Sequence, residues 1–223
     1  MLIQFVLGGK KMKTVFIVAN GNSNSKLFYQ KLSKKIDFII GVDGGAGRLI
    51  KCGIIPDLAV GDFDSIESDE LNLLKKKGVR ILQFPEDKDY SDTELAINVA
   101  LEKHFNTFIL SGMLYGRIDH MLFNVSLLYL LLKKGKDACI LEEREEIYIT
   151  SGKKKIKTKK GSTVSLYPMT SIVQGVKTSN LKYQLNGKTL FKGKTLTLSN
   201  IAVSSTVQVE VKKGALLIVV QKK

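Results

Sequence analysis

The sequence predicts an α/β N-terminal domain with a mostly parallel sheet, followed by a C-terminal antiparallel β-sandwich domain. Three observations carry this reading. Through residue 150, short apolar runs alternate with helical patterns that end in glycine. Beyond residue 150, polar and apolar residues alternate one by one. Charge divides at the same place: residues 1–150 hold 20 basic and 20 acidic side chains, while residues 151–223 hold 15 lysines, no arginine and one acid, Glu210. The net charge of +14 therefore lies wholly in the last third, an asymmetry that marks a boundary and suggests an anionic partner.

Taken in order, Thr14 to Ala19 reads as a buried strand followed by a turn at Asn20-Gly21-Asn22-Ser23. Phe38–Val42, Leu58–Val60, Val79–Leu82, Thr107–Leu110 and Ala138–Leu141 are further apolar runs of strand length. Gly53, Gly78 and Gly135 close the helical stretches between them, where a left-handed residue ends a helix. Strands that are apolar throughout belong in a sheet covered on both faces. In the last third, Thr163–Tyr167 and Thr206–Val211 alternate, Ala215–Val220 is a final strand, and Asn186-Gly187 signals a hairpin between 183–185 and 188–190. The Lys-rich stretch Lys153–Lys160 reads as the link. The domains are thus 1–150 and 151–223, with residues 1–11 an extension ahead of the first strand.

Several classes are excluded. With 44% hydrophobic and 25% charged residues, the chain is globular in composition. The longest nearly apolar run, Met121–Leu132, is too short to span a bilayer and holds Asn124 and Ser126, so no membrane span is expected. Lys10 and Lys11 follow the apolar start, the reverse of a secretory signal. Two cysteines, Cys52 and Cys139, make neither a disulfide framework nor a zinc site. A cytoplasmic location is expected.

In open α/β sheets ligands bind beyond the carboxyl ends of the strands, and acidic residues collect there. Asp43-Gly44-Gly45 follows the Phe38–Val42 run, and Gly61-Asp62-Phe63-Asp64-Ser65 follows Leu58–Val60. If that second segment is extended, Asp62 and Asp64 face the same side and suit a hard cation such as Mg²⁺; turn or helix-capping aspartates are the other reading. Asp87-Lys88-Asp89 precedes a helix for which Ser91 and Glu94 form a capping box, placing Asp92 in the first turn. Gly116-Arg117-Ile118-Asp119-His120 opens the next long helix; Arg117 offers a planar fork for phosphate, and Asp119 either caps the helix or orients Arg117.

In order, DGGAGRL (43–49), PDLAVGDFDSI (56–66), PEDKDYSDTELAI (85–97) and GRIDHMLFN (116–124) resemble the thiamine pyrophosphokinase family, over nearly the whole chain from about Met12. The resemblance implies Mg²⁺-dependent transfer of the terminal diphosphate of ATP to the hydroxyl of thiamine, giving thiamine diphosphate and AMP. It implies an ATP-binding α/β domain, a thiamine-binding β-sandwich, and a homodimer with active sites between subunits. By the same resemblance Asp62, Asp64 and Asp92 are metal-binding and, with Arg117, catalytic. Asp43, Gly44, Lys88, Asp89, Arg117, Asp119 and His120 lie with Asp62 and Asp64 at ATP, and Ser199 and Asn200 at thiamine. The chain departs from the family at Gly47, where Asn is common, at Ile201, where Glu is common, and in having no tryptophan.

Two other readings compete with this one. Another nucleotide-dependent transferase acting on a different hydroxylated heterocycle would share the ATP side. A nucleic-acid-binding module would use the +14 terminal third, but that third lacks arginine and an aromatic-rich basic stripe. No nucleic-acid partner is expected.

Overall fold

The computed structural model describes residues 13–222, apart from 22, 23 and 65. The extension at 1–11, the Asn22-Ser23 part of the first turn and Ser65 lie outside the described residues. The described residues form two compact units, the first made of 13–127 with 136–143, the second of 128–135 with 144–222.

In the first unit, β1 (Thr14–Val18), β2 (Phe38–Val42), β3 (Leu58–Gly61), β4 (Arg80–Gln83), β5 (Thr107–Ser111) and β6 (Asp137–Leu141) pair in parallel in the order β6-β5-β1-β2-β3-β4. Helices α1 (Lys26–Ser33), α2 (Gly44–Lys51), α3 (Ser68–Lys76) and α4 (Asp92–Glu102) connect the strands, and α5 (Ile118–Lys133) runs from the first unit into the residues counted with the second. Val15, Phe16, Ile17 and Val18 are wholly buried, as both-face coverage requires. Each such side chain contributes roughly 1.5–3 kcal/mol by leaving water. Gly53, Gly78 and Gly135 all have positive φ at helix ends. Ser91 caps α4, its hydroxyl accepting the Glu94 N–H at 3.2 Å. Helix α2 starts Gly-Gly-Ala-Gly, a weak helix former. Its glycines serve packing: a Cβ on Gly45 would come 2.1 Å from the Val18 carbonyl oxygen, so only glycine lets α2 lie against β1.

The second unit is antiparallel. One sheet portion has the order β12-β9-β14-β7, from β7 (Glu145–Thr150), β9 (Thr163–Pro168), β12 (Asn200–Ile201) and β14 (Leu216–Gln221). The other sheet is β11-β10-β13-β8, from β8 (Lys153–Lys157), β10 (Ile172–Ser179), β11 (Lys188–Phe191) and β13 (Thr206–Glu210). Alternating burial along β9 and β13 turns one face of each sheet inward, as in a sandwich. No described residue beyond 143 is helical.

Three expectations change in detail. Lys153–Lys157 is not a link but an edge strand, with Ile156 its buried residue and lysines facing water, a usual protection of an open edge. Strand β7 pairs with β14, so residues 145–150 pack with the second unit. The hairpin at Asn186-Gly187 does not form between 183–185 and 188–190. Lys188–Phe191 pairs instead with β10, and Leu185 is held by exchange of hydrogen bonds with Thr178. Among the described residues, no helix is long and apolar enough to cross a membrane.

Candidate active site

The carboxyl ends of β2 and β3 and the start of α4 bring three carboxylates together. Asp43 follows β2 directly and takes φ 46°, a region costly for a residue with a side chain, about 1–3 kcal/mol. Its N–H bonds the Val60 carbonyl at 3.0 Å, and its own carbonyl accepts the Ala46 N–H at 2.8 Å, opening α2. Its Oδ1 accepts the Phe63 N–H at 3.3 Å. Gly61 makes this approach possible: a Cβ there would lie 1.6 Å from Asp43 Oδ1, and its φ of 151° already disfavours a side chain. Oxygens of Asp43, Asp62 and Asp92, one from each, lie within 4.8 Å of one another.

Lys88 supplies the counter-charge. Its Nζ is 3.1 Å from Asp62 Oδ2 and 2.9 Å from Asp92 Oδ1, all three side chains being largely shielded from water. Burial works against the Lys88 cation, but hydrogen bonds and charge from Asp92 and Asp62 outweigh it and raise its pKa. For Asp62 burial pushes upward, while hydrogen bonds from the Asp64 N–H and from Lys88 prevail and hold it below the usual carboxylate range. Asp43 behaves oppositely. Burial, with the charges of Asp92 and Asp62 beside it, pushes its carboxyl up to about 7, the expected result when like charges share a shielded site.

Asp62 and Asp64 do not face the same side, as an extended segment would have placed them. Phe63 has φ 65°, so the segment turns rather than extends and the period-two rule fails. Asp64 is exposed; its N–H donates to Asp62 Oδ1 at 3.2 Å, and its carboxylate stands outside the group of three. Asp43 occupies the third place instead. Asp89 is exposed as well. Gly44 opens α2, where a Cβ would come 2.5 Å from Asn20 Oδ1.

Arg117 and Asp119 pair through both nitrogens of the fork, Nε to Oδ1 at 3.1 Å and one terminal nitrogen to Oδ2 at 2.5 Å. The Arg117 hydrogen bond, followed by that of the His120 N–H, depresses the Asp119 carboxyl to about 2. All three side chains are exposed. In the second unit Ser199 takes φ 58°. Asn200 grips the Tyr183 backbone from both sides, accepting its N–H at 3.1 Å and donating to its carbonyl at 2.6 Å, and the Tyr183 ring is exposed.

The sequence reading missed Glu142. It follows β6 as Asp43 follows β2, so the strand-end criterion applied to β6 would have found it. Its carboxylate is wholly buried and accepts from the N–H groups of Gly112, Met113 and Leu114 and from the Ser111 hydroxyl.

Carboxylates and a lysine gathered beyond the strand ends of a parallel sheet, in one chain with an antiparallel β unit, are the layout of a kinase-type transferase. Such an enzyme works by positioning and neutralising phosphate charge. The family profile described as "Thiamin pyrophosphokinase, catalytic domain" matches residues 29–140, and "Thiamin pyrophosphokinase, vitamin B1 binding domain" matches residues 146–216. The chain belongs to the thiamine pyrophosphokinase family. It is 31% identical to the thiamine pyrophosphokinase of Bacillus subtilis (strain 168), over 93% of this chain and 98% of that protein. A crystal structure of thiamine pyrophosphokinase from Bacillus subtilis superposes with TM-score 0.84 at 30% identity, covering 95% of this chain and all of that one. The thiamin pyrophosphokinase of Candida albicans shares the fold, with TM-score 0.80 at 19% identity over 95% of this chain and 90% of that one. At Gly47, where the family often has Asn, a Cβ would come 1.8 Å from Glu70 Oε2. The Glu70 carboxylate, paired with Lys51, fills that space here.

Proposed function

We propose that this protein transfers the terminal diphosphate of ATP to the hydroxyl of thiamine, releasing AMP and forming thiamine diphosphate. The observation that carries the reading is the group Asp43, Asp62 and Asp92 with Lys88 across it, inside the stretch that matches the family's catalytic domain.

Kinase-type transfer generally employs a divalent cation, and we take it to be Mg²⁺. The donor set fits: three carboxylates, one oxygen from each within 4.8 Å, are hard ligands of the kind Mg²⁺ accepts alongside phosphate and water. Bound there, Mg²⁺ supplies neutralisation of the phosphate charge that builds during transfer. The remaining chemistry falls to the chain. The thiamine hydroxyl oxygen gives up its proton to water and forms its bond to the β-phosphorus of ATP, and the bond from that phosphorus to the oxygen carried away by AMP breaks. Asp43 must shed its proton before all three carboxylates can hold a cation. Lys88 already shares oxygens with that group, so with a cation held there its ammonium would be free to meet phosphate. Arg117, its planar group held by Asp119, presents further donors to phosphate.

Ser199 and Asn200 serve the thiamine side. Asn200 acts by fixing Tyr183, whose exposed ring carries Lys182 Nζ over one face at 5.2 Å and offers the other to a heterocycle. Ile118, Leu122 and Phe123 on α5 and Leu196 and Leu198 in the second unit are exposed apolar side chains, which supports assembly as a homodimer. Nucleic acid is not a partner in this reading. Lys153 pairs with Glu210, Lys222 pairs with Glu146, and Lys154 lies over the Tyr148 ring, so part of the terminal lysine charge is already engaged within the chain. Two buried cysteine thiols, Cys52 and Cys139, suit a cytoplasmic protein.

The test is the purified protein with ATP and thiamine, with and without a chelator. The reading requires thiamine-dependent consumption of ATP that stops on chelation and returns with Mg²⁺. ATP consumption indifferent to thiamine would overturn it.

A further inference from the structure

Glu142 stands at the end of β6, wholly buried, outside the carboxylate group that the mechanism uses. Five donors converge on its two oxygens. Oε2 accepts from the Asn24 side-chain amide, from the Ser111 hydroxyl at 3.0 Å and from the Gly112 N–H at 3.1 Å. Oε1 accepts from the Met113 N–H at 2.9 Å and the Leu114 N–H at 3.3 Å. Three successive backbone N–H groups pointing at one anion form a concavity of the kind that elsewhere holds phosphate. Here the anion is part of the chain, and what it organises is the turn leading to Arg117.

That turn needs organising. Gly112, Tyr115 and Gly116 have φ of 68°, 77° and 106°, and Tyr115 adopts this strained conformation despite its side chain. Other groups pin the turn from outside: the Asn124 amide donates to the Met113 carbonyl at 3.1 Å, and the Gly21 N–H donates to the Gly112 carbonyl at 2.8 Å. The carboxylate is the one group that gathers the inward-facing N–H groups of residues 112, 113 and 114. Asn24 links it to the β1–α1 connection, since the Asn24 side-chain oxygen also accepts the Glu143 N–H at 2.7 Å.

We propose that Glu142 is a positioning residue for diphosphate transfer: its buried carboxylate fixes the Gly112–Leu114 turn and so sets where Arg117 meets the nucleotide phosphates. The proposal rests on the reading of Arg117 as a phosphate ligand. Glutamine does not substitute. It matches the shape but has one acceptor oxygen, and its NH₂ would face donors at the other position, leaving N–H groups of the turn without an acceptor in a buried place.

The experiment is a double-mutant cycle of Glu142→Gln with Arg117→Ala, read with hydrogen exchange on the same proteins. Glu142→Gln should lower kcat/KM for ATP about 10- to 100-fold, the effect of misplacing a phosphate ligand by about 1 Å, while thiamine binding measured by calorimetry stays unchanged. Because both changes act through one contact, the double variant should be no worse than Arg117→Ala alone. Exchange should accelerate at the amides of residues 112–117 and remain slow in β1. If Glu142→Gln does not fold, Asn24→Ala, which removes one donor and leaves the carboxylate, carries the same cycle with a smaller loss in the same direction. Losses that multiply in the double variant, weakened thiamine binding equal to that for ATP, or unchanged exchange at 112–117 would each overturn the proposal. Failure of the underlying reading looks different: the wild-type protein itself would make no AMP from ATP and thiamine, whereas the exchange pattern reports the cradle regardless.

Discussion

Replacing Asp43 by Asn should make the metal-free protein more stable and the enzyme inactive. Asp43 is pushed from 3.8 to about 7 by burial and by the charges of Asp92 and Asp62. A rise of that size corresponds to about 4 kcal/mol, and screening through the part of the group that water still reaches cuts this to roughly 2 kcal/mol. The sign follows from linkage. With its folded value raised, Asp43 favours the folded state fully below about pH 4, and that contribution is lost as pH rises towards about 7. Asparagine does not titrate, keeps an oxygen for the Phe63 N–H, and tolerates positive φ well. In chelator the variant should match wild type near pH 4, gain between pH 4 and 7, and melt about 4–8 °C higher at pH 8. With excess Mg²⁺ at pH 8 the order should reverse, because wild type gains binding free energy and the variant has lost a ligand. Thermal melts across pH, with and without Mg²⁺, read both effects. A gain independent of pH, or Mg²⁺ stabilisation that persists in Asp43→Asn, would refute the assignment of Asp43 to the cation site.

Asp62→Asn should remove most turnover, by about 100-fold or more, since it loses a charged ligand at constant volume; Asp64→Asn should cost clearly less, because its carboxylate is exposed and outside the group of three. Equal losses in the two, measured at saturating Mg²⁺, would restore the expectation drawn from an extended segment. Arg117→Lys should raise the KM for ATP by about tenfold, since lysine keeps the charge but not the fork; an unchanged KM would remove Arg117 from the phosphates. Asn200→Ala frees the Tyr183 backbone and should raise the KM for thiamine more than that for ATP, with the opposite ranking counting against the thiamine-side role.

The first unit was readable because its strands are buried on both faces. Val15–Val18 and the Phe108–Leu110 run of β5 are continuous apolar stretches, and the helix ends carry glycines at positive φ where the sequence has them. The second unit was harder for identifiable reasons. Strand β8 buries Ile156 among lysines, so composition alone reads it as a link. Strand β10 shifts register between Val173 and Val176 around Gly175, whose φ is 67°, and such a bulge destroys the alternation that reveals a strand. At the site, strand-end carboxylates could be picked from sequence, but their grouping could not. One left-handed residue, Phe63, turns Asp64 outward and leaves Asp43 to complete the set with Asp62 and Asp92. Glu142 stands where the strand-end criterion points, just after β6, but its part as a buried acceptor shows only once the N–H groups of residues 112–114 are placed around it.

Diphosphate transfer means that one chemical step moves two phosphates together. ATP labelled at the β-phosphorus, incubated with the protein, Mg²⁺ and thiamine, tests it directly. Unlabelled AMP and labelled thiamine diphosphate should form in equal amounts from the first turnover. Labelled ADP with thiamine monophosphate would show single phosphoryl transfer and contradict it.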